Sequence, residues 1–155
     1  MKGKPVVIDS LNSLLKDELT AINQYFVHAE MCEDWGYEAL HEVIEKRAIT
    51  EMKHAEALIG RILFLEGKPI VTALNAIHIA DDVHGMFVND RTAEQTAIDE
   101  YNKAVRLAAD LGDNGTKQFL DGILHDEEDH LDYIEEVLDQ IDQMGIQNYL
   151  TTVAG

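Results

Sequence analysis

The chain has 155 residues, 46% of them hydrophobic and 27% charged, with 30 acidic against 12 basic side chains and a net charge of −18. That length and composition suit one soluble domain, residues 1–155, with a real apolar core. The acidity repels phosphate backbones and argues against nucleic-acid binding, and the single cysteine, Cys32, excludes an intrachain disulfide or a Cys-x-x-Cys metal knot.

Four segments carry a helical apolar period. The first runs from Pro5 or Asp9 to Trp35, with Leu11, Leu15, Ile22, Tyr25 and Ala29 in its stripe, and ends at "DWG". The second runs from Glu38 to Leu65, with Ile44, Ala48, Ala55, Leu58, Ile62 and Leu65 aligned, and stops at "EGKP". Residues 70–81 show no stripe and read as a long connection. The third helix runs from Asp81 or Asp82 to Leu111, on Val83, Phe87, Ala97, Tyr101 and Ala108. After the turn "GDNG", the fourth runs from Thr116 to Met144, on Leu120, Ile123, Leu131, Ile134, Leu138 and Ile141. "IQNYLTTVA" forms a short fifth helix. Short turns join antiparallel neighbours and the long connection spans the length of a bundle. The expected fold is all-α: a four-helix bundle with one long crossover between helices 2 and 3 and a short C-terminal fifth helix. No stretch approaches the roughly 18 apolar residues of a membrane span, and "MKGKPVVIDS" lacks a signal-peptide core, so the expected location is the cytoplasm, with no membrane partner.

Each stripe contains one glutamate: Glu18, Glu51, Glu94 and Glu127. "EMKH" places His54 one helical turn after Glu51, and "EEDH" places His130 one turn after Glu127. The spacing repeats. Glu18 to Glu51 and Glu94 to Glu127 are both 33 residues, and an offset of 76 carries Glu18, Tyr25, Glu51 and His54 onto Glu94, Tyr101, Glu127 and His130. Four carboxylates in one core are prohibitively costly unless cations join them. Two divalent ions balance the charge, and the imidazoles add nitrogen donors without charge. Helical bundles that hold two iron or two manganese ions on carboxylates use this composition. The mixed donor set suits iron or manganese and leaves zinc and cobalt open. Tyr25 shares a face with Glu18 and reads either as a core tyrosine with a satisfied hydroxyl or as a redox-active neighbour. Cys32 and Trp35 read as packing residues, and His28, His41, His78, His84 and His125 lack partners in the repeat and read as non-ligands.

The sequence resembles the bacterioferritins along nearly its whole length. The resemblance lies in the opening "MKG", in "ELTAINQYFVHA" (Glu18 to Ala29), "EMKHAE" (Glu51 to Glu56), "RILFLEG" (Arg61 to Gly67), "DEEDHLDYIE" (Asp126 to Glu135) and "MGIQNYL" (Met144 to Leu150). It implies a ferritin-like fold and a homo-oligomeric shell of 24 subunits built from dimers. It implies a ferroxidase centre binding two iron ions per subunit, with Glu18 and Glu94 as terminal ligands, Glu51 and Glu127 as bridges, and His54 and His130 as nitrogen ligands. In that family Fe(II) is oxidised by dioxygen or hydrogen peroxide and the ferric product is stored as a mineral. Met52 faces away from the bundle core by spacing; the resemblance makes it the axial ligand of a haem b shared between two subunits, with electrons supplied by a bacterioferritin-associated ferredoxin. One departure concerns an inner-surface iron site that some bacterioferritins build from a histidine and an aspartate. Here those places hold Lys46 and Thr50, with Arg47 between them, and that site is not expected. Two alternatives stand beside this reading: a di-iron peroxidase of rubrerythrin type, which usually adds a four-cysteine iron site this chain cannot make, and a non-catalytic metal-buffering shell.

Overall fold

A computed structural model describes residues 1–155. Five helices follow in order: α1 (Pro5–Asp34), α2 (Glu38–Phe64), α3 (Val83–Asp110), α4 (Asn114–Met144) and α5 (Ile146–Val153). Pro5 opens α1 at a position where its missing N–H costs nothing. Asp82 and Asp113 cap α3 and α4 by accepting from Gly85 N–H (2.7 Å) and Thr116 N–H (3.1 Å). The sequence-based ends fall within a few residues of these bounds.

The two tight turns repeat one another. α1 ends with Gly36 N–H donating to Glu33 C=O and Tyr37 N–H to Cys32 C=O; α3 ends with Gly112 N–H donating to Ala109 C=O and Asp113 N–H to Ala108 C=O. Gly36 and Gly112 have φ of 82° and 73°, which only glycine adopts cheaply, and they stand 76 residues apart. The internal repeat therefore extends to the turns. Each half of the chain is a helical hairpin: α1 packs chiefly on α2, and α3 on α4.

Apolar packing falls into two separate clusters. One gathers Val7, Leu11, Leu15, Leu58, Ile62, Tyr101, Leu120 and Ile123 among others; the second gathers Tyr25, Ile44, Ala48, Met86, Phe87, Ile134 and Ile141, with Tyr149 and Val153 of α5 closing its end. Burying each large side chain contributes about 1.5–3 kcal/mol. Cys32 is fully buried against Met86, whereas Trp35 is more exposed than a packing residue should be, stacked edge-on to Tyr37.

The crossover between Phe64 and Val83 has no regular structure, and its backbone is held by side chains of α1. Asn12 Oδ1 accepts from Ile70 N–H (2.9 Å), Thr20 Oγ1 from Asn75 N–H (2.9 Å), Gln24 Oε1 from His78 N–H (3.1 Å) and His28 Nε2 from Ala80 N–H (3.2 Å). Behind this ladder Asp90 of α3 accepts from Gln24 Nε2 (2.8 Å) and from His28 Nδ1 (3.0 Å), all three side chains being buried. His28 is thus the tautomer protonated at Nδ1, bound on both nitrogens and unable to ligate anything else. Asp90→Ala leaves two buried donors unpaired, at about 1–3 kcal/mol each. The expected result is a lower melting temperature together with new proteolytic cutting within residues 70–80, read by denaturation and limited proteolysis.

Candidate metal centre

Between the two apolar clusters lies a polar layer. Glu18, Glu51, Glu94 and Glu127, one from each long helix, are all at most 2% exposed. Backbone helicity alone places them there: each occupies a core position of its stripe, with the next apolar residue a turn away. The structure brings together all six side chains that the repeat singles out. One set of donor atoms within 4.8 Å of one another comes from Glu18, Glu51, His54 and Glu127; a second comes from Glu51, Glu94, Glu127 and His130. Glu51 and Glu127 belong to both sets, so the site is two half-sites sharing a pair of carboxylates.

His54 Nδ1 lies 3.2 Å from Glu127 Oε1, 3.4 Å from Glu51 Oε2 and 3.7 Å from Glu18 Oε2. Its other nitrogen, Nε2, is 2.9 Å from Asp126 Oδ2, which fixes the ring. His130 Nδ1 lies 2.8 Å from Glu94 Oε1 and packs edge-on to the Tyr25 ring at 5.4 Å. Two tyrosines brace the site crosswise. The Tyr25 hydroxyl donates to Glu94, and the Tyr101 hydroxyl donates to Glu18 at 2.6 Å. These tyrosines are partners in the 76-residue repeat, each holding the glutamate of the opposite hairpin. The Tyr25 hydroxyl is thus satisfied and in direct contact with the site, as both readings of this residue require.

Burial, with repulsion from Glu51 and Glu127, holds the Glu18 carboxyl well above the usual range; burial and the nearby Glu127 do the same to Glu94. Burial also acts on Glu127, yet hydrogen bonds from Glu94 and His54 and the Arg47 charge outweigh it and hold that carboxyl low. Burial disfavours charge on His54, but Glu127, Glu18 and Glu51 override it and keep the ring protonated. Burial and the Arg47 charge hold His130 neutral. Even so, Glu18 Oε2, Glu51 Oε1, Glu94 Oε2 and His130 Nδ1 are buried without hydrogen-bond geometry to any partner. Native interiors rarely leave such atoms unsatisfied. All four are lone-pair donors, oxygen and nitrogen, with the hardness that suits a divalent first-row cation.

Two openings reach this layer. A cavity of about 640 Å³ between α1, α3 and the crossover runs from Asp17, Asn75, Asn89 and Glu100 inward to Glu18, Glu51, Glu94 and Glu127. A smaller one of about 240 Å³ lies between α2 and α4 and contains Arg47, Thr50, Asp129 and His130. Arg47, which the sequence places between Lys46 and Thr50, folds inward, with Nε 2.8 Å from Glu51 Oε1 and Nη2 3.2 Å from Glu127 Oε2. The sequence does carry a signal for this: Arg47 stands four residues before Glu51, one turn away on the same face. Met52 points away from the layer and is 46% exposed, on the flank of α2 that also carries the exposed Ile49.

Comparison with known proteins agrees with this architecture. The family model described as a ferritin-like domain matches residues 8–144. A bacterioferritin from Mycolicibacterium paratuberculosis is 38% identical over 149 residues, covering 96% of this chain and 94% of the relative. One from Streptomyces coelicolor is 40% identical over 153 residues, covering 99% and 92%. A bacterial ferritin from Synechocystis is 39% identical over 151 residues, covering 97% of each. A repeated helical hairpin, a paired carboxylate–imidazole layer and full-length similarity converge, and the chain belongs to the bacterioferritins, within the ferritin-like family.

Proposed function

We propose that this chain stores and detoxifies iron by oxidising Fe(II) to Fe(III) at the layer of Glu18, Glu51, His54, Glu94, Glu127 and His130, within one 155-residue ferritin-like unit. The single observation carrying this reading is the pair of half-sites that share Glu51 and Glu127. Iron is here the substrate. Fe(II) enters through the cavity beside the crossover, where Asp17 and Glu100 concentrate cations. Glu18 with His54 receives one ion and Glu94 with His130 the other, while Glu51 and Glu127 bridge. Binding displaces the protons held by Glu18, Glu94 and His54, which leave with the incoming charge. Two Fe(II) each give one electron, and hydrogen peroxide takes both with two protons to become two waters; dioxygen needs two such pairs and four protons to do the same. Sharing the bridging carboxylates keeps both electron donors adjacent during the transfer. Tyr25 and Tyr101 hold the terminal glutamates in place.

The ferric product is stored inside a homo-oligomeric shell of 24 subunits in the cytoplasm. Support for assembly comes from apolar side chains left outside the core, including Ile70, Val71, Leu74, Ile77 and Ile79 of the crossover and Leu63 and Phe64 beside it. No helix is long and apolar enough to cross a membrane.

Met52 would hold a haem b shared with a second subunit. A thioether is a suitable donor to haem iron, and Met52 stands exposed with Ile49 a turn before it on α2 and the half-buried Ile59 two turns after it. The haem would supply one-electron chemistry, with a bacterioferritin-associated ferredoxin as electron source. Met52→Leu is expected to abolish the haem absorption of the purified protein and leave Fe(II) oxidation unchanged.

The test of the function is aerobic addition of Fe(II) to metal-free protein, followed by size-exclusion chromatography with iron detection. Fast oxidation saturating at two ions per chain, with iron retained in a large particle, is the expected result. Oxidation at the buffer rate with no iron retained overturns it in favour of a metal-buffering shell.

A further inference from the structure

The two half-sites are related by the repeat, yet their surroundings break it at two positions. Asp126, whose carboxylate holds Nε2 of His54, corresponds under the offset of 76 to Thr50, which lies beside His130 in the smaller cavity. Thr50 donates its hydroxyl to Lys46 C=O (3.1 Å), and Nε2 of His130 has no acid paired to it. A carboxylate behind a ligating histidine orients the ring and raises its donor strength, and losing such a partner costs about 10–100-fold in metal affinity. His54 has that support; His130 lacks it.

The second break is Arg47, whose counterpart is Ile123, a core residue. The shared carboxylates turn one oxygen to each side. Glu51 Oε2 and Glu127 Oε1 face His54, while Glu51 Oε1 and Glu127 Oε2 lie against the Arg47 guanidinium. Arg47 also lines the cavity that holds His130. It therefore engages the very oxygens that the His130 half-site needs, and nothing equivalent guards the His54 half-site.

We propose that the two cation positions are unequal: the His54 half-site fills first and tightly, and the His130 half-site fills only when its cation displaces Arg47 from the bridging carboxylates. This rests on the reading of the six side chains as a two-cation site and adds an order and a competitor to it. In the metal-free chain Arg47 neutralises part of the carboxylate charge. With two divalent ions bound, the four glutamates are already balanced and a guanidinium there is surplus positive charge. The cavity between α2 and α4 gives it a way out, toward the exposed Asp129 carboxylate. The His130 position is thereby the labile one, from which a cation leaves most readily on the α2/α4 side.

Titration of the metal-free protein with Co(II), under calorimetry and visible absorption, tests this without turnover. Two steps are expected, one ion per chain each, separated by about tenfold or more in affinity. His130→Ala should keep the tight step and lose the weak one, and His54→Ala should lose the tight step. Arg47→Gln should strengthen the weak step by about tenfold and leave the tight one in place. Should Arg47→Gln fold poorly by circular dichroism, Thr50→Asp makes the same point, since it restores a carboxylate behind His130 and should also tighten only the weak step. Two indistinguishable steps in the unaltered protein, or a weak step unmoved by both variants, overturn the proposal while leaving the two-cation site intact. Absence of any Co(II) binding overturns the site itself, and the proposal with it.

Discussion

Glu127→Ala is expected to bring Fe(II) oxidation down to the rate of iron in plain buffer while leaving the four long helices intact. Glu127 is common to both half-sites, so its removal takes a donor from each. Partners one shell further out already cost about 10–100-fold when removed, and a bridging carboxylate should cost about 100-fold or more. The same substitution strips His54 and Arg47 of an acceptor. The two apolar clusters on either side of the layer are untouched, which is why the helices should survive. Stopped-flow absorbance of ferric product, with circular dichroism on the same sample, gives both readings. An oxidation rate within a factor of two of the unaltered chain would rule out the assigned centre.

Loading the centre is expected to raise the melting temperature by about 10–20 °C. An ion at about 100 times its dissociation constant contributes about 2.7 kcal/mol, so two contribute about 5 kcal/mol. For a chain of this size each kcal/mol moves the transition by about 2–4 °C. The shift should grow with pH. Glu18 and Glu94 bind protons more tightly folded than unfolded, so in the metal-free chain they contribute stability at acid pH that disappears as pH rises through their elevated values. His54, also held high, acts in the same direction. Glu127, held low, contributes in the opposite sense: its share is present above the ordinary carboxylate range and is lost as pH falls. Bound cations keep all four carboxylates ionised and cancel the loss at higher pH. Scanning calorimetry between about pH 5 and 8, with and without Co(II), should show the two curves diverging upward. Parallel curves would mean that the carboxylates are ionised before metal arrives.

Much of this molecule is legible in its sequence because its chemistry violates its own pattern. A glutamate on an apolar stripe is conspicuous, and four of them at matched spacing define a layer before the fold is known. Periodicity also locates the long helices, since few prolines interrupt them. The repeat does not reveal what is unique to one half. Asp90 sits one turn before Glu94 on the core face, but its counterpart is Leu14, so the comparison of halves passes over it. Its role depends on Gln24 and His28, contacts across more than 60 residues that spacing cannot supply. Spacing puts Arg47 one turn before Glu51 but does not decide that it turns inward, for a related reason. A long charged side chain has two places to put its charge, and the choice is made by the field of carboxylates contributed by another helix.

The crosswise tyrosines carry a consequence for how the chain reaches this state. Each hairpin closes through contacts between neighbouring helices and forms early, as low-contact-order units do. The tyrosine that donates to each terminal glutamate lies in the opposite hairpin: Tyr101 for Glu18, and Tyr25 for Glu94. Docking of the hairpins is thus the moment when two hydroxyls find their acceptors and four acidic side chains first meet in a dry interior. Docking is therefore the step expected to respond to protons and divalent cations in the surrounding solution, which neutralise those acids.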